Sequence, residues 1–280
     1  MIRYISIPIT IFALFFSCDI LNSNSGGIDM PNQFVRTELM YGKNAIAKLR
    51  QSRVAVFGIG GVGGYVVEAL ARTGVGFLDL IDDDIVNLSN LNRQIYALHS
   101  TLGRPKVDVA EERCKDINPD IVVRKHKVFF LPETENQFDF SSYDYVVDCI
   151  DTVSGKIALV LKAQEAGVPV ISSMGAGNKS DPSQFHVSDI YQTSVDPLAR
   201  VMRHELKKRN VKKLKVVFST ELPGEPNEET LEEVLQEADP VSDQRPGSPG
   251  RIKLPPGSNA FVPSSAGLLI ASEVIKDLVK

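Results

Sequence analysis

Apolar residues in this chain gather into short runs rich in β-branched side chains, separated by stretches whose apolar positions recur at helical spacing. Residues 53–57, Arg-Val-Ala-Val-Phe, form one such run and end abruptly in glycines; an amphipathic stretch at 65–73 follows at once. A second run at 77–81 leads to Asp82. Further runs predict strands at 121–128, 145–150 and 168–172. Helices are predicted at 107–117, closed by Asn118-Pro119, and at 157–166, stopped by Gly167. Upstream, 34–49 reads as a short arm and helix. Strands alternating with helices predict an α/β fold, a doubly wound, mostly parallel sheet of Rossmann-like type. After residue 183 the pattern changes. Residues 184–190 alternate like a strand, 200–215 hold eight Lys or Arg, and 221–239 are acidic and marked by prolines. Residues 243–258 read as a Pro/Gly-rich loop and 265–279 as an apolar helix. The expected organisation is a nucleotide-binding part over 30–183 and a smaller C-terminal substrate-binding and dimerisation part over 184–280 of the same domain.

Composition narrows this picture in three ways. A chain of 280 residues buries a large core. Its net charge of −4 argues against general affinity for polyanions, so any such site is a local patch. Its three cysteines, Cys18, Cys114 and Cys149, are too few and too scattered for a disulfide framework or an all-cysteine zinc site, which points to a reducing compartment and no zinc. The first 29 residues stand apart. An apolar stretch at 4–17, flanked by Arg3 and Cys18, looks like a secretory or lipoprotein leader. It is shorter than the roughly 20 residues that a membrane-spanning helix needs. A polar link at 22–27 precedes Met30. Two readings follow, a true leader or an upstream start codon. The chemistry of the body, which needs a nucleotide-rich compartment, favours the second and a cytoplasmic protein.

That chemistry centres on the glycines. Gly58, Gly60 and Gly63 match G-x-G-x-x-G, with Gly61 between them. Such a turn lets the backbone approach a phosphate, and the N–H groups of the following helix hold its charge. Asp82 lies about 20 residues on, where these folds bind a ribose hydroxyl. The glycines alone fit a dehydrogenase and an ATP-using enzyme equally. Asn90, Arg93 and Lys106, on or beside the loop after the second strand, separate the two. Arg offers a rigid fork to phosphate oxygens and Lys a point charge. Asp151, beyond the 145–150 run, is placed to hold magnesium against those phosphates, and the same run sends Asp148 to that sheet edge. Together these groups suit attack of a carboxylate on the α-phosphate of ATP with departure of pyrophosphate, a reaction driven by positioning and charge neutralisation.

Gly58-Ile-Gly-Gly-Val-Gly-Gly64, Asp82, Asn90-Leu-Asn-Arg-Gln94, Arg104-Pro-Lys106, Ile117-Asn-Pro119 and Asp148-Cys-Ile-Asp151 resemble the bacterial relatives of ubiquitin-activating enzymes. The resemblance covers 33–280. It implies carboxylate adenylation on a Rossmann-like ATP-binding fold, usually as a homodimer. Asp82 would then bind the ribose, Asn90, Arg93 and Lys106 the phosphates, and Asp151 the Mg2+. Arg36, in Arg36-Thr-Glu-Leu-Met-Tyr-Gly42, would reach the partner subunit's nucleotide. Within that superfamily, Asn92-Arg-Gln-Ile95, Met174-Gly-Ala-Gly-Asn178, Asp181-Pro-Ser-Gln-Phe185, Asp196-Pro-Leu-Ala199 and Phe218-Ser-Thr-Glu221 resemble the tRNA threonylcarbamoyladenosine dehydratases. The resemblance implies a tRNA carrying threonylcarbamoyladenosine as substrate and leaves room for a sulfur-transfer protein partner. It also makes Arg200, Arg203, Lys207, Lys208, Lys212 and Lys213 contacts to the tRNA backbone. No cysteine follows Cys149, so an acyl-adenylate has no thiol to pass to, and an intramolecular cyclisation suits it. The rivals are an adenylating enzyme for a small ubiquitin-like sulfur-carrier protein, an NAD(P)-dependent oxidoreductase, and a nucleotide-binding module without catalysis.

Overall fold

The computed structural model describes residues 32–231 and 256–280. The leader-like segment at 1–29 and most of the predicted Pro/Gly-rich loop, residues 243–255, lie outside the described residues. Phe34–Lys280 forms one compact unit.

Helices α1 (Val35–Tyr41) and α2 (Lys43–Gln51) precede β1 (Arg53–Phe57), α3 (Gly63–Thr73) and β2 (Phe77–Ile81). Then come α4 (Lys106–Ile117), β3 (Val122–His126), β4 (Tyr145–Asp148), α5 (Val153–Glu165) and β5 (Val170–Ser173). The chain continues through β6 (Phe185–Asp189), α6 (Pro197–Lys208) and β7 (Lys215–Ser219) to α7 (Val262–Leu278). Seven strands form one sheet in the order β3-β2-β1-β4-β5-β7-β6. All neighbours run parallel except β6, which is antiparallel to β7. The strand order reverses between β1 and β4, and in an open parallel sheet that switch point opens a crevice beyond the strand ends.

Alternation along β1 explains why the sheet is covered on both faces. Val54 and Val56 pack with Val66 and Leu70 of α3 and with Ile270 and Val274 of α7. Ala55 and Phe57 turn the other way, onto Leu159 and Ala163 of α5 and a cluster of Phe130, Phe138 and Phe140. Beyond that, Ile157 and Val160 of α5 meet Met202 and Leu206 of α6 and Val216 and Phe218 of β7. Helix ends follow local chemistry. Gly74, at φ 95°, closes α3 in a left-handed turn. Asp196 caps α6 through the Ala199 N–H, with Pro197 at the first helical position.

Two elements depart from the sequence reading. Residues 200–215, read as a basic run, are mostly the helix α6, and the strand β7 that begins at Lys215 was not predicted. The predicted arm at 34–49 is two helices broken at Gly42.

Asp277 pins α7 to the sheet: it accepts the Tyr145 hydroxyl at 2.9 Å and the Lys215 ammonium. Burial pushes its carboxyl up, but the bonds from Lys215, Lys280 and Tyr145 outweigh that and hold it at about 2. A carboxyl lowered by folding adds stability above its ordinary value of 3.8, and loses it as pH falls through the folded value. Asp277→Asn is therefore expected to be less stable than the parent at neutral pH, with the gap closing as pH falls from 3.8 to about 2. Urea titrations across that range read the gap; a constant difference would contradict it.

Candidate active site

The carboxyl ends of β1, β2 and β4 bring the predicted residues to one edge. The turn after β1 is open only to glycine at two points. Gly58 has φ 79°, and a Cβ there would stand 2.8 Å from the Cys149 carbonyl oxygen. A Cβ on Gly63 would stand 1.8 Å from the Gly58 carbonyl oxygen. The turn is thus pressed against the backbone that follows β4, which leads to Asp151. At its other side, a Cβ on Gly61 would lie 3.6 Å from Cγ of Arg93, and one on Gly60 would lie 3.7 Å from Nε2 of Gln94. The stem of Arg93 therefore lies over the glycine turn.

Asp82, just past β2, binds that turn directly. Its Oδ2 accepts the Ile59 N–H at 2.8 Å and its Oδ1 the Asp84 N–H at 2.9 Å. Burial pushes its carboxyl above the ordinary value, against the pull of the nearby Lys106 ammonium and these two N–H groups. Lys106 opens α4, buried, with its Nζ 2.8 Å from Asp84 and 4.0 Å from Asp82. Asn90 is buried too. Its side-chain oxygen accepts the Asn87 N–H at 3.1 Å, and its carbonyl accepts the N–H groups of Arg93 and Gln94 at 3.1 and 2.9 Å. It shapes the turn that presents Arg93.

Among the described residues Arg93 donates through Nη1 alone, to the Ser89 carbonyl at 2.8 Å and to Oδ1 of Asn92 at 2.9 Å. It has no carboxylate partner among the described residues, and burial lowers its guanidinium from the ordinary value. Asp151 is exposed and without an ion pair among the described residues, so it fits a single protein carboxylate on a metal that otherwise holds phosphates and water. The three carboxylates that approach one another among the described residues are Asp82, Asp83 and Asp84, a group that does not include Asp151.

Asp148 corrects the sequence reading. It is fully buried at the end of β4 rather than offered at the sheet edge, with both oxygens 3.1 Å from Nζ of Lys156 on α5. Ser172 donates to it, Lys156 also reaches the Ser173 carbonyl at 2.8 Å, and the Ile150 N–H reaches Asp148 at 3.2 Å. This network braces the turn carrying Asp151. A single lysine at the head of the apolar run 157–161 was the available signal for it. Cys149 beside it packs against the core, as read. Burial raises its thiol well above the ordinary value and keeps it protonated.

Arg200, Arg203 and Lys207 share one face of α6 with His204, Val201 and Pro197, and with Tyr191 and Val195 they line an open concavity of about 850 Å³. Arg203 donates to the Thr193 carbonyl at 2.9 Å. Lys208 is not part of that face and pairs with Glu205 at 2.8 Å. Lys212 and Lys213 are exposed on the link between α6 and β7. Asp196 ties this region to the β5 edge, since it meets the buried Nζ of Lys179 at 3.0 Å. Arg36 is exposed on α1, a helix that buries none of its own residues and shows Leu39 and Met40 at 84% and 75% exposure.

Comparison with known proteins places this chain in a family. The chain is 45% identical over 252 residues to the tRNA threonylcarbamoyladenosine dehydratase of Bacillus subtilis (strain 168), covering 90% of this chain and 96% of that protein. It is 41% identical over 197 residues to the enzyme of the same name from Escherichia coli (strain K12), covering 68% and 74%. The crystal structure of the E. coli tRNA N6-threonylcarbamoyladenosine dehydratase in complex with ATP superposes with a TM-score of 0.75 at 33% identity, over 88% of this chain and 93% of that one. The profile of the ThiF family matches residues 34–280, the span of the compact unit that carries the glycine turn, Arg93 and Asp151, and the chain belongs to the ThiF family.

Proposed function

We propose that this chain uses ATP to dehydrate threonylcarbamoyladenosine in tRNA, closing the modification into a ring through an acyl-adenylate. The observation that carries the reading is Arg93, laid over the glycine turn with its Nη2 and Nε groups unengaged among the described residues, beside Asp82 and Lys106. The 45% identity to the B. subtilis dehydratase over 96% of its length supports the substrate.

In this reading the glycine turn of Gly58, Gly60, Gly61 and Gly63 cradles the phosphates and Asp82 takes the ribose. The threonine carboxylate attacks the α-phosphate, pyrophosphate leaves, and a group of the same modification attacks the activated carbonyl and expels AMP. Arg93 and Lys106 neutralise charge that grows on the phosphates, which is where preorganised donors matter most. Lys106 must turn from Asp84 toward the phosphates to do so, and Asp84, half exposed, is then taken up by water. Asn90 holds the loop in shape. Asp151 would hold Mg2+, which supplies further neutralisation of the phosphates. Arg200, Arg203 and Lys207 contact the tRNA backbone from one face of α6, with Lys208, Lys212 and Lys213 flanking them. The apolar exposed side of α1 suits a second copy of the chain, and such a homodimer would carry Arg36 toward the partner subunit's nucleotide. A tRNA substrate and ATP suit a cytoplasmic enzyme. Among the described residues no helix is long and apolar enough to cross a membrane.

The test is product analysis with ATP, magnesium and tRNA. AMP and pyrophosphate are expected only with tRNA that carries the modification, whose nucleoside loses the mass of one water. AMP formation that ignores tRNA and answers instead to a small carrier protein with a Gly-Gly terminus would replace this reading with carrier activation.

A further inference from the structure

An arginine that must meet a transition state needs its plane fixed as well as its charge in place. The guanidinium of Arg93 has five N–H groups, and the two bonds it makes both leave from Nη1. The Ser89 carbonyl alone would let the plane swing about one contact. The second contact, Oδ1 of Asn92 at 2.9 Å, removes that freedom and leaves Nη2 and Nε for a ligand. Asn92 is itself held. Its Nδ2 donates to the Ser258 carbonyl at 3.0 Å. Only one orientation of the amide satisfies both neighbours, because a flipped amide would set its NH2 against the guanidinium and its oxygen against a carbonyl.

Ser258 belongs to a short strap before α7 that is clamped to the loop after β5. The Asn178 N–H donates to the Gly257 carbonyl at 2.8 Å, and the Gly257 N–H returns to Oδ1 of Asn178 at 2.6 Å. Asn259 adds a bond to the Lys179 carbonyl at 2.9 Å. Asn178 adopts φ 55°, a left-handed conformation that asparagine tolerates better than most residues. The strap thus presents a fixed carbonyl to Asn92, and Asn92 presents a fixed acceptor to Arg93. Nothing in the reaction itself calls for Asn92, whose side chain is otherwise exposed.

We infer that Asn92 is a positioning residue: its amide, anchored on the Ser258 carbonyl, sets the plane of the Arg93 guanidinium toward the phosphates. The inference rests on the reading of Arg93 as a phosphate clamp, and the experiment separates the two. AMP formation with ATP, magnesium and modified tRNA is measured for the parent, Asn92→Ala, Arg93→Lys, the double variant and Arg93→Ala. Asn92→Ala is expected to lower kcat by about tenfold, as for a misaimed catalytic group, with KM for ATP changed less than about threefold and Tm unchanged. In the Arg93→Lys background, where no guanidinium plane exists to be set, the same substitution is expected to change kcat less than about twofold. Undiminished kcat in Asn92→Ala overturns the inference, and so does an equal loss in both backgrounds, which would mark a structural effect independent of Arg93. Full turnover by Arg93→Ala would instead remove the clamp reading on which the inference stands.

Discussion

Arg93→Ala is expected to lower the rate of AMP formation by about 10²–10³-fold, the loss typical of one preorganised donor to developing charge. The expectation follows from placement. The stem of Arg93 crosses the glycine turn 3.6 Å from the Gly61 Cβ position, and no carboxylate among the described residues shares its charge. The guanidinium is half-buried, so less water must be displaced when the ligand arrives than from a fully exposed arginine. The effect belongs in kcat more than in KM, because the charge on the α-phosphate oxygens and the leaving pyrophosphate grows along the reaction. The parent and variant should unfold at the same temperature, as Arg93 contributes two bonds on a surface loop. Steady-state kinetics with ATP varied at saturating modified tRNA reads the split. A variant with full kcat would remove Arg93 from the chemistry.

Lys156→Met is expected to destabilise the fold by about 3–5 kcal/mol, the range for removing one partner of a buried ion pair. Lys156 and Asp148 show side-chain exposures of 1% and 0%, so the remaining carboxylate would have no water to turn to. The Ser172 hydroxyl and the Ile150 N–H would still donate to it, which sets the loss within the range rather than above it. Adding Asp148→Asn should recover most of that stability, since the neutral amide needs no cation: its oxygen can accept the Ile150 N–H while its NH2 donates to the Ser172 hydroxyl oxygen. Activity should not return with it. The pair braces the turn that carries Asp151 against the glycine turn, where a Cβ on Gly58 would already stand 2.8 Å from the Cys149 carbonyl oxygen. Denaturant unfolding and AMP formation, measured on both variants, separate the two roles. Equal recovery of stability and turnover would reduce the pair to a stabilising contact.

Local pattern was enough for most of the elements around the glycine turn. β1 and β2, the glycines between them, Asp82 and the helix α4 all sit where the periodicity placed them, within a residue or two at each end. The second half was harder to read. In α6 the charges dominate the sequence, yet Ala199, Met202 and Leu206 recur at helical spacing and are buried. β7 was hidden because its five residues begin with Lys215 and follow a basic run directly. Its apolar character shows only in the tertiary setting, between β5 and the antiparallel β6.

Sequence alone determined the strand-turn-helix at the nucleotide edge, because glycine at Gly58 and Gly63 answers a steric demand made by atoms close in the chain or on the adjoining strand. It also determined which types of charged group line that edge. Tertiary structure decided what each charge does. Asp148 and Asp151 are three residues apart in one motif, yet the first is buried on Lys156 and the second faces solvent. Asn92 and Ser258 are 166 residues apart, and their bond sets the surroundings of Arg93. Such partners come from α5 and from the strap before α7. A side chain's charge and spacing are local properties, whereas its burial and its partner are supplied by whatever the rest of the chain packs against it.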